Sequence, residues 1–408
     1  MIVDIINVGW SPLLFDTLSL LPCNGVPIRI IPFVYLFEKP QNAPTVYDPT
    51  RFFKSELSNY ILKGSQYLQG NMGLRLLSKV LLSTCFWAEY RYPANPLIRA
   101  SLLSKVQQLT NVYKKVGLPS VLFFDGFFNE TALLTMHLHH TTGIPYIMRL
   151  HSSDFMMQDS RKSRYLKKVY EDAIAVTTIS DYNRKWLKRR GFVIDKVHVI
   201  RAGVNVERFK RTKQYNADGP LLYVGRLVRF KGIEYLIKAM VNLKDYFPHL
   251  YAKIVGEGPM LSELKELTVS LDIKDRVEFV GHVGWEALKD VYESASIFVH
   301  PSVELEDGRV DGIPVSMMEA MAMELPVVST WCSGIPELVD HGVNGLLVRQ
   351  RDDEGLAEAI RYLLENQSVA EGMGGKAREK VEREYDIAKN AAKLAYLFKK
   401  VADGCGYD

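Results

Sequence analysis

Residues 307–330 read DGRVDGIPVSMMEAMAMELPVVST and place two carboxylates, Asp311 and Glu319, on either side of a Gly-Ile-Pro turn. The segment after the turn is otherwise almost wholly apolar, so it predicts a buried helix at 315–323. A buried carboxylate is costly unless it has hydrogen-bond donors. Because a vicinal diol such as a ribose offers two O–H groups to one carboxylate, we interpret Glu319 as a ligand-binding residue.

The turn itself has the features of an anion site. The backbone N–H groups of Gly312 and Ile313, and those that follow Pro314 from Val315 onward, would point toward a phosphate at the start of the helix. Proline suits this first turn because its missing N–H group is not needed there. The structural alternatives stay open: the first carboxylate caps the helix, the second pairs with a core arginine, and the methionines fill space.

A second pair of candidates lies in LLYVGRLVRFKGIEYLIKAM, residues 221–240, where Arg226 and Lys231 stand between a strand and the next helix. Two cations at the carboxyl end of a strand suit a diphosphate, because a guanidinium can contact two oxygens at once. The alternative is a pair of surface bases in a loop, and the spacing alone does not choose between the two.

The candidate residues must be positioned by strands and helices. Strand-like runs alternate with helical patterns along the whole chain, which is typical of parallel α/β architecture. The pattern predicts two tandem Rossmann-like doubly wound domains, joined by the polar stretch KRTKQYNADGP and facing a cleft at the carboxyl ends of their strands. The predicted strands are IVDIINV, PIRIIPF, SVLFFDG, PYIMRL, AIAVTTI and KVHVI, then LLYVG, YAKIVG, VEFVG, SIFVHP, PVVST and GLLV.

A chain of 408 residues exceeds one ordinary core, which favours two domains. We predict domains at 1–205 and 206–384. We also predict a C-terminal helix within 385–408. It packs either on the C-terminal domain or, if the chain crosses back, on the N-terminal domain. The predicted helices are 52–90, 97–116, 129–141, 181–190, 232–246, 259–270, 285–294, 315–323, 353–366 and 385–402.

Composition narrows the class of protein. The chain is 47% hydrophobic and 24% charged, with a formal net charge of +4. Its four cysteines are scattered without a C-x-x-C pair, which argues against a disulfide framework or a zinc site and indicates a reducing compartment. We see neither a leader-like N-terminus nor an apolar run of about 18 residues. We therefore expect a cytoplasmic protein.

Residues 51–115 carry an excess of positive charge, with ten Lys or Arg against two acids, interleaved with leucine and aromatic residues. Such a segment can lie on the inner, anionic face of a membrane, which binding to anionic vesicles would test. The alternative is a set of surface helices with a solvated basic face. Nucleic-acid binding is not expected, because the overall excess is modest and no reader motif is present.

The motifs VGRLVRFKG, IVGEGP, VEFVG and HPSVELEDGRVDGIPVSMMEAMAMELPVVSTWCSGIPELVDHGVNGLLV together resemble the group 1 (family 4) glycosyltransferases, which are retaining enzymes of GT-B fold. The first half extends the resemblance through GIPYIMRLHSSDF, VTTISDYNRKWLKRRGF and VHVIRAGVNVERF. It covers most of residues 120–350 and leaves 51–115 outside.

The resemblance implies roles for the carboxylates and the turn. Glu319 matches the second acid of an E-x7-E motif, which holds the ribose of the donor. Asp311 occupies the place of the first acid, near the donor sugar, and is one methylene shorter than the usual glutamate. The matching turn, whose backbone meets the sugar and phosphates of the donor, is Gly312, Ile313, Pro314 and Val315.

The resemblance also implies a role for three basic residues. Arg226 and Lys231 match the pair that neutralises the diphosphate leaving group, and His151 matches the histidine that faces the reaction centre from the N-terminal domain, with Asp154 at the usual spacing after it. Two departures stand out. The usual N-G-V-D element reads AGVN, with Asn205 in place of the acid, and a single glycine replaces the pair near the N-terminus.

The expected function is transfer of a sugar, of hexosyl type, from a UDP or GDP sugar to an acceptor hydroxyl with retention of configuration. The expected acceptor is a glycan or a lipid-linked molecule of polysaccharide, lipopolysaccharide or glycolipid biosynthesis. No D-x-D motif follows a strand, so we expect no metal and no further cofactor. His151 would position groups at the reaction centre, while Arg226, Lys231 and the helix N-terminus would stabilise the departing diphosphate.

The sequence leaves three rival functions. A non-catalytic nucleotide-sugar-binding protein of the same fold is the main alternative. A nicotinamide dinucleotide enzyme would use IVGEGPML, but Leu261 stands where its third glycine belongs. A glycosidase would use Asp311 and Glu319 as its acid and nucleophile, yet their setting beside a phosphate-type turn suits a nucleotide better.

Overall fold

The computed structural model describes residues 3–7, 28–32, 106–107, 110, 118–125, 130–151 and 167–404. Its framework is a pair of six-stranded sheets in which every strand pairing is parallel. The predicted α/β class is therefore confirmed. All the predicted strands are present, with only small shifts at their ends.

The first sheet comes from the N-terminal half. Its strands are β1 (Val3–Asn7), β2 (Ile28–Pro32), β3 (Val121–Asp125), β4 (Tyr146–Leu150), β5 (Ala175–Thr178) and β6 (Val197–Val199). The strand order is β2-β1-β3-β4-β5-β6, so the direction of winding reverses beside β1, as in doubly wound folds. Helices α1 (Glu130–Thr142) and α2 (Asp181–Arg189) lie between its strands in the chain.

The second sheet comes from the C-terminal half. Its strands are β7 (Leu221–Val224), β8 (Ala252–Val255), β9 (Val277–Gly281), β10 (Ile297–His300), β11 (Val327–Thr330) and β12 (Gly345–Val348). Its order, β12-β11-β10-β7-β8-β9, is the Rossmann order read from the opposite edge, with the topological switch point between β7 and β10.

Helices follow most strands of the second sheet. They are α3 (Ile233–Leu243), α4 (Leu261–Ser270), α5 (Leu288–Ser294), α6 (Val315–Ala322), α7 (Ile335–Leu338), α8 (Asp353–Glu365), α9 (Gln367–Glu384) and α10 (Ile387–Ala402). Short 3-10 turns occupy Arg229–Lys231 and Lys274–Arg276.

Both faces of each sheet are buried, which explains the near-continuous apolar runs of its strands. In β3, Leu122 and Phe124 belong to a core cluster with α1, whereas Phe123 lies on the opposite face. That opposite face is covered by α10, through Leu394 and Phe398. The C-terminal helix thus packs on the first sheet.

The chain crosses between the two sheets twice at one place. The N–H of Val204 donates to the carbonyl of Tyr385 at 2.8 Å, and the N–H of Ile387 donates to the carbonyl of Val204 at 3.1 Å. A Cβ on Gly203 would lie 2.5 Å from the Cα of Ile387, so only glycine permits this approach. We propose that the boundaries of the two domains lie at this double crossing, close to the predicted 205/206 and 384/385.

Two of these helices were missed by the sequence analysis, the four-residue α7 and the long α9. Helix α9 has three glycines and a polar sequence, and glycine lowers helix propensity. Tertiary packing overrides that local preference, since Met373, Ala377 and Val381 are buried. A Cβ on Gly374 would lie 2.1 Å from the carbonyl oxygen of Glu324, so this glycine allows the helix to approach the end of α6.

Several predictions lie outside the described residues. These are the helix at 52–90, most of the helix at 97–116, and with them nearly all of the basic segment 51–115. Within the part of the chain that the structure describes, no helix is long and apolar enough to cross a membrane.

The packing of α10 on the first sheet predicts a large energetic effect from one side chain. Phe398 is fully buried, and its ring meets that of Phe123 edge to face at a centroid distance of 5.1 Å. We expect Phe398→Ala to destabilise the N-terminal domain by about 3–5 kcal/mol, because it opens a cavity and removes an aromatic pair. Urea unfolding measures this, with Tyr396→Ala on the exposed face of the same helix as the control. Equal effects of the two substitutions would contradict the packing.

Candidate functional site

The loops after β7 and β10 meet at the topological switch point of the second sheet, where open α/β sheets bind their ligands. The loop after β7 carries Arg226 and Lys231, and the loop after β10 carries Asp311. The two loops touch closely, since a Cβ on Gly232 (φ 66°) would lie 2.0 Å from the carbonyl oxygen of Pro301. Glycine at this position therefore lets the lysine-bearing turn reach the end of β10.

Lys231 and Asp311 form a direct ion pair across this gap. Both side chains are largely buried, with 13% and 14% of their surfaces exposed. The same carboxylate oxygen, Oδ2, lies 3.1 Å from His300 Nε2 and accepts a hydrogen bond from Ser302 Oγ at 3.3 Å. Residues 80 positions apart in the chain thus share one polar cluster. We call Lys231, His300, Ser302 and Asp311 the switch-point cluster.

The electrostatics of the cluster keep Asp311 ionised. Burial by itself raises the pKa of the Asp311 carboxyl, but the charge of Lys231 and the hydrogen bond from His300 outweigh burial and hold that pKa well below its usual range. This predicts that the Asp311 carboxylate stays ionised at all ordinary pH values. Asp311 does not cap α6, whose N-cap is Pro314, so one of the structural alternatives is wrong.

His300 is held neutral. Burial, followed by the nearby charge of Lys231, lowers the pKa of its imidazole to about 4, although its bond to Asp311 acts in the opposite direction. Its Nε2 therefore carries the proton donated to the carboxylate. Its Nδ1 is buried without a hydrogen-bond partner among the described residues. The ring is stacked against Tyr223 and Phe298, with centroid distances of 5.2 and 6.0 Å.

Glu319 lies on α6, where Met317, Met318, Ala320 and Met321 are buried. The predicted burial of the helix is confirmed, but Glu319 itself is only partly buried. Its Oε2 accepts a hydrogen bond of 2.7 Å from the hydroxyl of Tyr292. Burial and the neighbouring carboxylate raise the pKa of the Tyr292 hydroxyl well above its usual value, so tyrosine remains a donor. One of the donors that a buried acid requires therefore comes from the protein.

The turn before α6 leaves backbone donors available. Within the described residues, the N–H groups of Gly312, Ile313 and Val315 make no hydrogen bond, and Pro314 provides no side-chain cap. Ile313 is buried, whereas Gly312 and Val315 are partly exposed. The predicted phosphate-type turn thus has the free N–H groups that anion binding needs.

The two predicted cations have different surroundings. Lys231 is fixed by its carboxylate partner, so it is not a simple surface base. Arg226 is exposed, and its guanidinium makes no ion pair with a described residue. Its backbone is held by the hydroxyl of Tyr223, which donates to the Arg226 carbonyl at 3.0 Å. The loop therefore presents one fixed cation and one adaptable cation.

The remaining predicted residues belong to the other sheet or lie nearby. His151 follows the carboxyl end of β4 and is partly buried, so it stands on the first sheet while the switch-point cluster stands on the second. Asp154 lies outside the described residues. Asn205, which replaces the expected acid, accepts a hydrogen bond from the N–H of Arg208 at 3.0 Å and so stabilises the turn that follows the chain crossing.

Sequence reasoning missed His300, Ser302 and Tyr292. The first two lie in HPSV, directly after a predicted strand, so their place at a strand's carboxyl end was an available signal. Tyr292 offered no signal, because its contact with Glu319 depends on how α5 packs against α6.

Residues 206–380 match the family model for glycosyl transferases group 1. This matched segment is similar to the family and carries the whole site of the second sheet, and the two Rossmann-like sheets have the GT-B fold.

Among curated relatives, the amylovoran biosynthesis glycosyltransferase AmsK of Erwinia amylovora is 35% identical over 214 residues, which are 52% of this chain and 53% of AmsK. Relatives above 30% identity are matched over about half of their length. Alpha-D-kanosaminyltransferase of Streptomyces kanamyceticus is 23% identical over 74% of this chain and 82% of its own length.

Two solved structures share this fold. HepE of Anabaena in complex with UDP has a TM-score of 0.67 at 16% identity, covering 98% of this chain and all of that one. Sucrose-phosphate synthase from Thermosynechococcus elongatus has a TM-score of 0.70 at 19% identity, with 99% of each chain covered. At these identities the likeness concerns the fold alone.

The buried neutral histidine predicts a specific pH dependence of stability. Between pH 6.5 and about 4 the unfolded chain binds a proton at His300 that the folded protein excludes. The stabilisation is therefore complete above pH 6.5 and is lost as the pH falls toward 4, by about 3 kcal/mol. We expect His300→Gln to remove this part of the pH profile in urea unfolding.

His137 on α1 also has a pKa lowered to about 4, by burial and by His140, and contributes in the same window. The variant must therefore be compared with wild type at each pH, with His137→Gln as the matched control. Parallel profiles for wild type and His300→Gln would contradict the assignment.

Proposed function

We propose that this protein transfers a sugar from a nucleotide-diphosphate sugar to an acceptor hydroxyl with retention of configuration. The observation that supports the proposal most directly is the switch-point cluster beside a turn with free N–H groups. It provides positive charge and backbone donors at the place where a diphosphate would lie. The assignment of the individual residues is part of the proposal.

The main barrier in such a reaction is the negative charge that develops on the departing diphosphate. Lys231, Arg226 and the N-terminus of α6 would stabilise that charge from three directions. Lys231 already has a carboxylate partner, so its ammonium group is fixed before the donor arrives and need not be reorganised. Arg226 is exposed and can move onto phosphate oxygens in a bidentate manner.

The two carboxylates would have different tasks. Glu319 would accept hydrogen bonds from the ribose hydroxyls of the donor. Asp311 would hold Lys231 and approach the donor sugar at the same time. His151 would contact the reaction centre from the first sheet, and the proton of the acceptor hydroxyl would pass to the leaving phosphate.

The geometry disfavours two rivals. A glycosidase acid needs a raised pKa, whereas the pKa of Asp311 is depressed by Lys231. In the glycine-rich turn of the dinucleotide alternative, Cβ atoms on Gly256 and Gly258 would lie 1.9 and 2.4 Å from the carbonyl oxygens of Gly225 and Leu227. These glycines therefore pack one loop on another. A non-catalytic nucleotide-sugar-binding protein remains the alternative, and product formation separates it from an enzyme.

We further propose a UDP or GDP sugar of hexosyl type as donor and a glycan or lipid-linked acceptor at the cytoplasmic face of a membrane. The name of AmsK, which refers to amylovoran biosynthesis, supports a role in polysaccharide synthesis. The basic excess of 51–115 in the sequence supports the membrane contact. We propose that transfer needs no metal, so it should continue in the presence of EDTA.

Glu319→Ala should abolish selective stabilisation by the donor nucleotide. A ligand that binds only the native state raises the melting temperature, so wild type should be stabilised by one of UDP, GDP or ADP over the others. Thermal unfolding against this panel measures the effect. Glu324→Ala, in the turn after α6 and partly exposed, is the control. An equal shift for wild type and Glu319→Ala would contradict the ribose assignment.

Lys231→Ala should lower kcat by about 100- to 1,000-fold, because it removes a fixed positive charge from the leaving group. Lys238→Ala, an exposed lysine of the following helix, should leave kcat unchanged. Since the first change also leaves Asp311 without its cation, the double variant Lys231→Met with Asp311→Asn controls for misfolding. Steady-state transfer kinetics decide the point, and an unchanged kcat in Lys231→Ala would contradict the role.

A further inference from the structure

The proposed active site is divided between two sheets, and a glutamate outside it joins the two halves. Glu337 belongs to the short helix α7, which follows β11 of the second sheet. Its carboxylate reaches the N-terminus of α2, which belongs to the first sheet: Oε2 accepts from the N–H of Asp181 at 2.9 Å and Oε1 from the N–H of Tyr182 at 2.6 Å.

Three features stabilise this contact: the free N–H groups of α2, its helix dipole and the low exposure of Glu337. The first N–H groups of a helix have no partner within the helix, and the helix dipole favours a negative charge there. Both oxygens of Glu337 accept a hydrogen bond from α2, so the side chain fixes the direction of α2 and its distance from α7. The glutamate side chain is 18% exposed, which limits competition from water. One carboxylate therefore caps a helix of the other domain.

The charge of Glu337 is balanced by Arg201. The Arg201 Nη1 donates to Glu337 Oε2 at 3.3 Å, and its guanidinium also lies 3.8 Å from Asp181 and 3.9 Å from Glu384. The guanidinium carbon of Arg201 also lies 5.4 Å from the centroid of the Tyr385 ring. Arg201 and Tyr385 flank the double chain crossing, so this interdomain contact lies beside the place where the domains are connected.

A chain of hydrogen bonds leads from α2 toward His151. The N-cap Ser180 accepts from the N–H of Asn183 at 3.2 Å, and Asn183 Nδ2 donates to Thr178 Oγ1 at 3.0 Å. Thr178 in turn donates to the carbonyl of Leu150 at 3.3 Å, and Leu150 directly precedes His151. The position of α2 is thus tied to the end of β4 that carries the proposed reaction-centre histidine.

In the other direction, α7 is packed against the turn before α6, residues 312–315, which we call the donor turn. A Cβ on Gly334, the N-cap of α7, would lie 2.8 Å from Cγ1 of Ile313 and 3.3 Å from Cβ of Ser180. This glycine therefore stands where the donor turn, α7 and the N-terminus of α2 all meet. A shift of α2 relative to α7 would therefore displace Ile313.

We propose that Glu337 is a positioning residue: by capping α2 from the second domain, it sets the distance between His151 on one sheet and the donor turn on the other. The inference rests on the proposed function for its kinetic consequence. Glu337 itself has no contact with the switch-point cluster among the described residues, so the nucleotide site should form without it. Loss of the cap should affect the alignment of the two half-sites and leave nucleotide affinity unchanged.

The kinetic test compares Glu337→Ala with Asp352→Ala. Asp352 caps α8 by accepting from the N–H of Gly355 at 2.8 Å, so it is a helix cap of the same kind within one domain. We expect Glu337→Ala to lower kcat by about 10- to 100-fold, because small displacements of reacting groups have effects of this size. The dissociation constant of the donor nucleotide should stay the same, Glu337→Gln should be intermediate, and Asp352→Ala should retain the kcat of wild type.

Two measurements need no activity. Hydrogen exchange should show lost protection of the Asp181 and Tyr182 amides in Glu337→Ala only, and small-angle scattering should show a larger radius of gyration in that variant only. If wild type transfers no sugar, the proposed function fails, while these two measurements still decide whether Glu337 holds the domains together. Unchanged protection and radius, or a kcat equal to that of Asp352→Ala, would overturn the inference.

Discussion

The ion pair of Lys231 and Asp311 imposes the main constraint on the C-terminal half of the molecule. Burying two charges is costly unless their geometry is good and their remaining hydrogen bonds are made. The fold meets this condition by bringing the loops after β7 and β10 into contact, with a glycine at the closest approach and with His300 and Ser302 on the same carboxylate oxygen. The parallel sheet brings these loops together at its switch point.

The ion pair of Lys231 and Asp311 also determines which groups would contact a bound anion. An anion at the proposed site would meet a lysine whose position is already determined and an exposed arginine. It would also meet backbone N–H groups that have no partner within the described residues. The anion and Asp311 would share one ammonium group, so binding would weaken the existing pair while it forms a new one. This sharing would connect donor binding to the loop after β10 and, through Ile313, to α7.

The contact of Glu337 with α2 concerns the relative orientation of the two domains. Half of the proposed site stands on each sheet, and two chain crossings alone allow rotation between domains. Glu337 adds a directional contact, because two N–H groups of one helix must meet two oxygens of one carboxylate. Its surroundings, with Arg201 among three carboxylates, show how a charge can be buried between domains without being isolated.

The strands were predictable from sequence, and so were the positions of the candidate carboxylates, of the two candidate cations and of the turn before α6. These depend on local properties: the hydrophobic period of a strand, the chemistry of Gly-Ile-Pro, and the rarity of an acid within an apolar helix. Helix α9 was missed for the same reason, because its local glycine content opposes the packing that makes it helical.

The sequence by itself thus determined which segments are strands and which residues are candidates for chemistry. The tertiary structure decided that Asp311 is the partner of Lys231, that Tyr292 donates to Glu319, and that Glu337 caps a helix of the other domain. Each of these contacts joins residues on different elements. Their distances follow from strand order and helix packing, which arise from the summed burial of the whole chain and leave no mark in any short stretch of it.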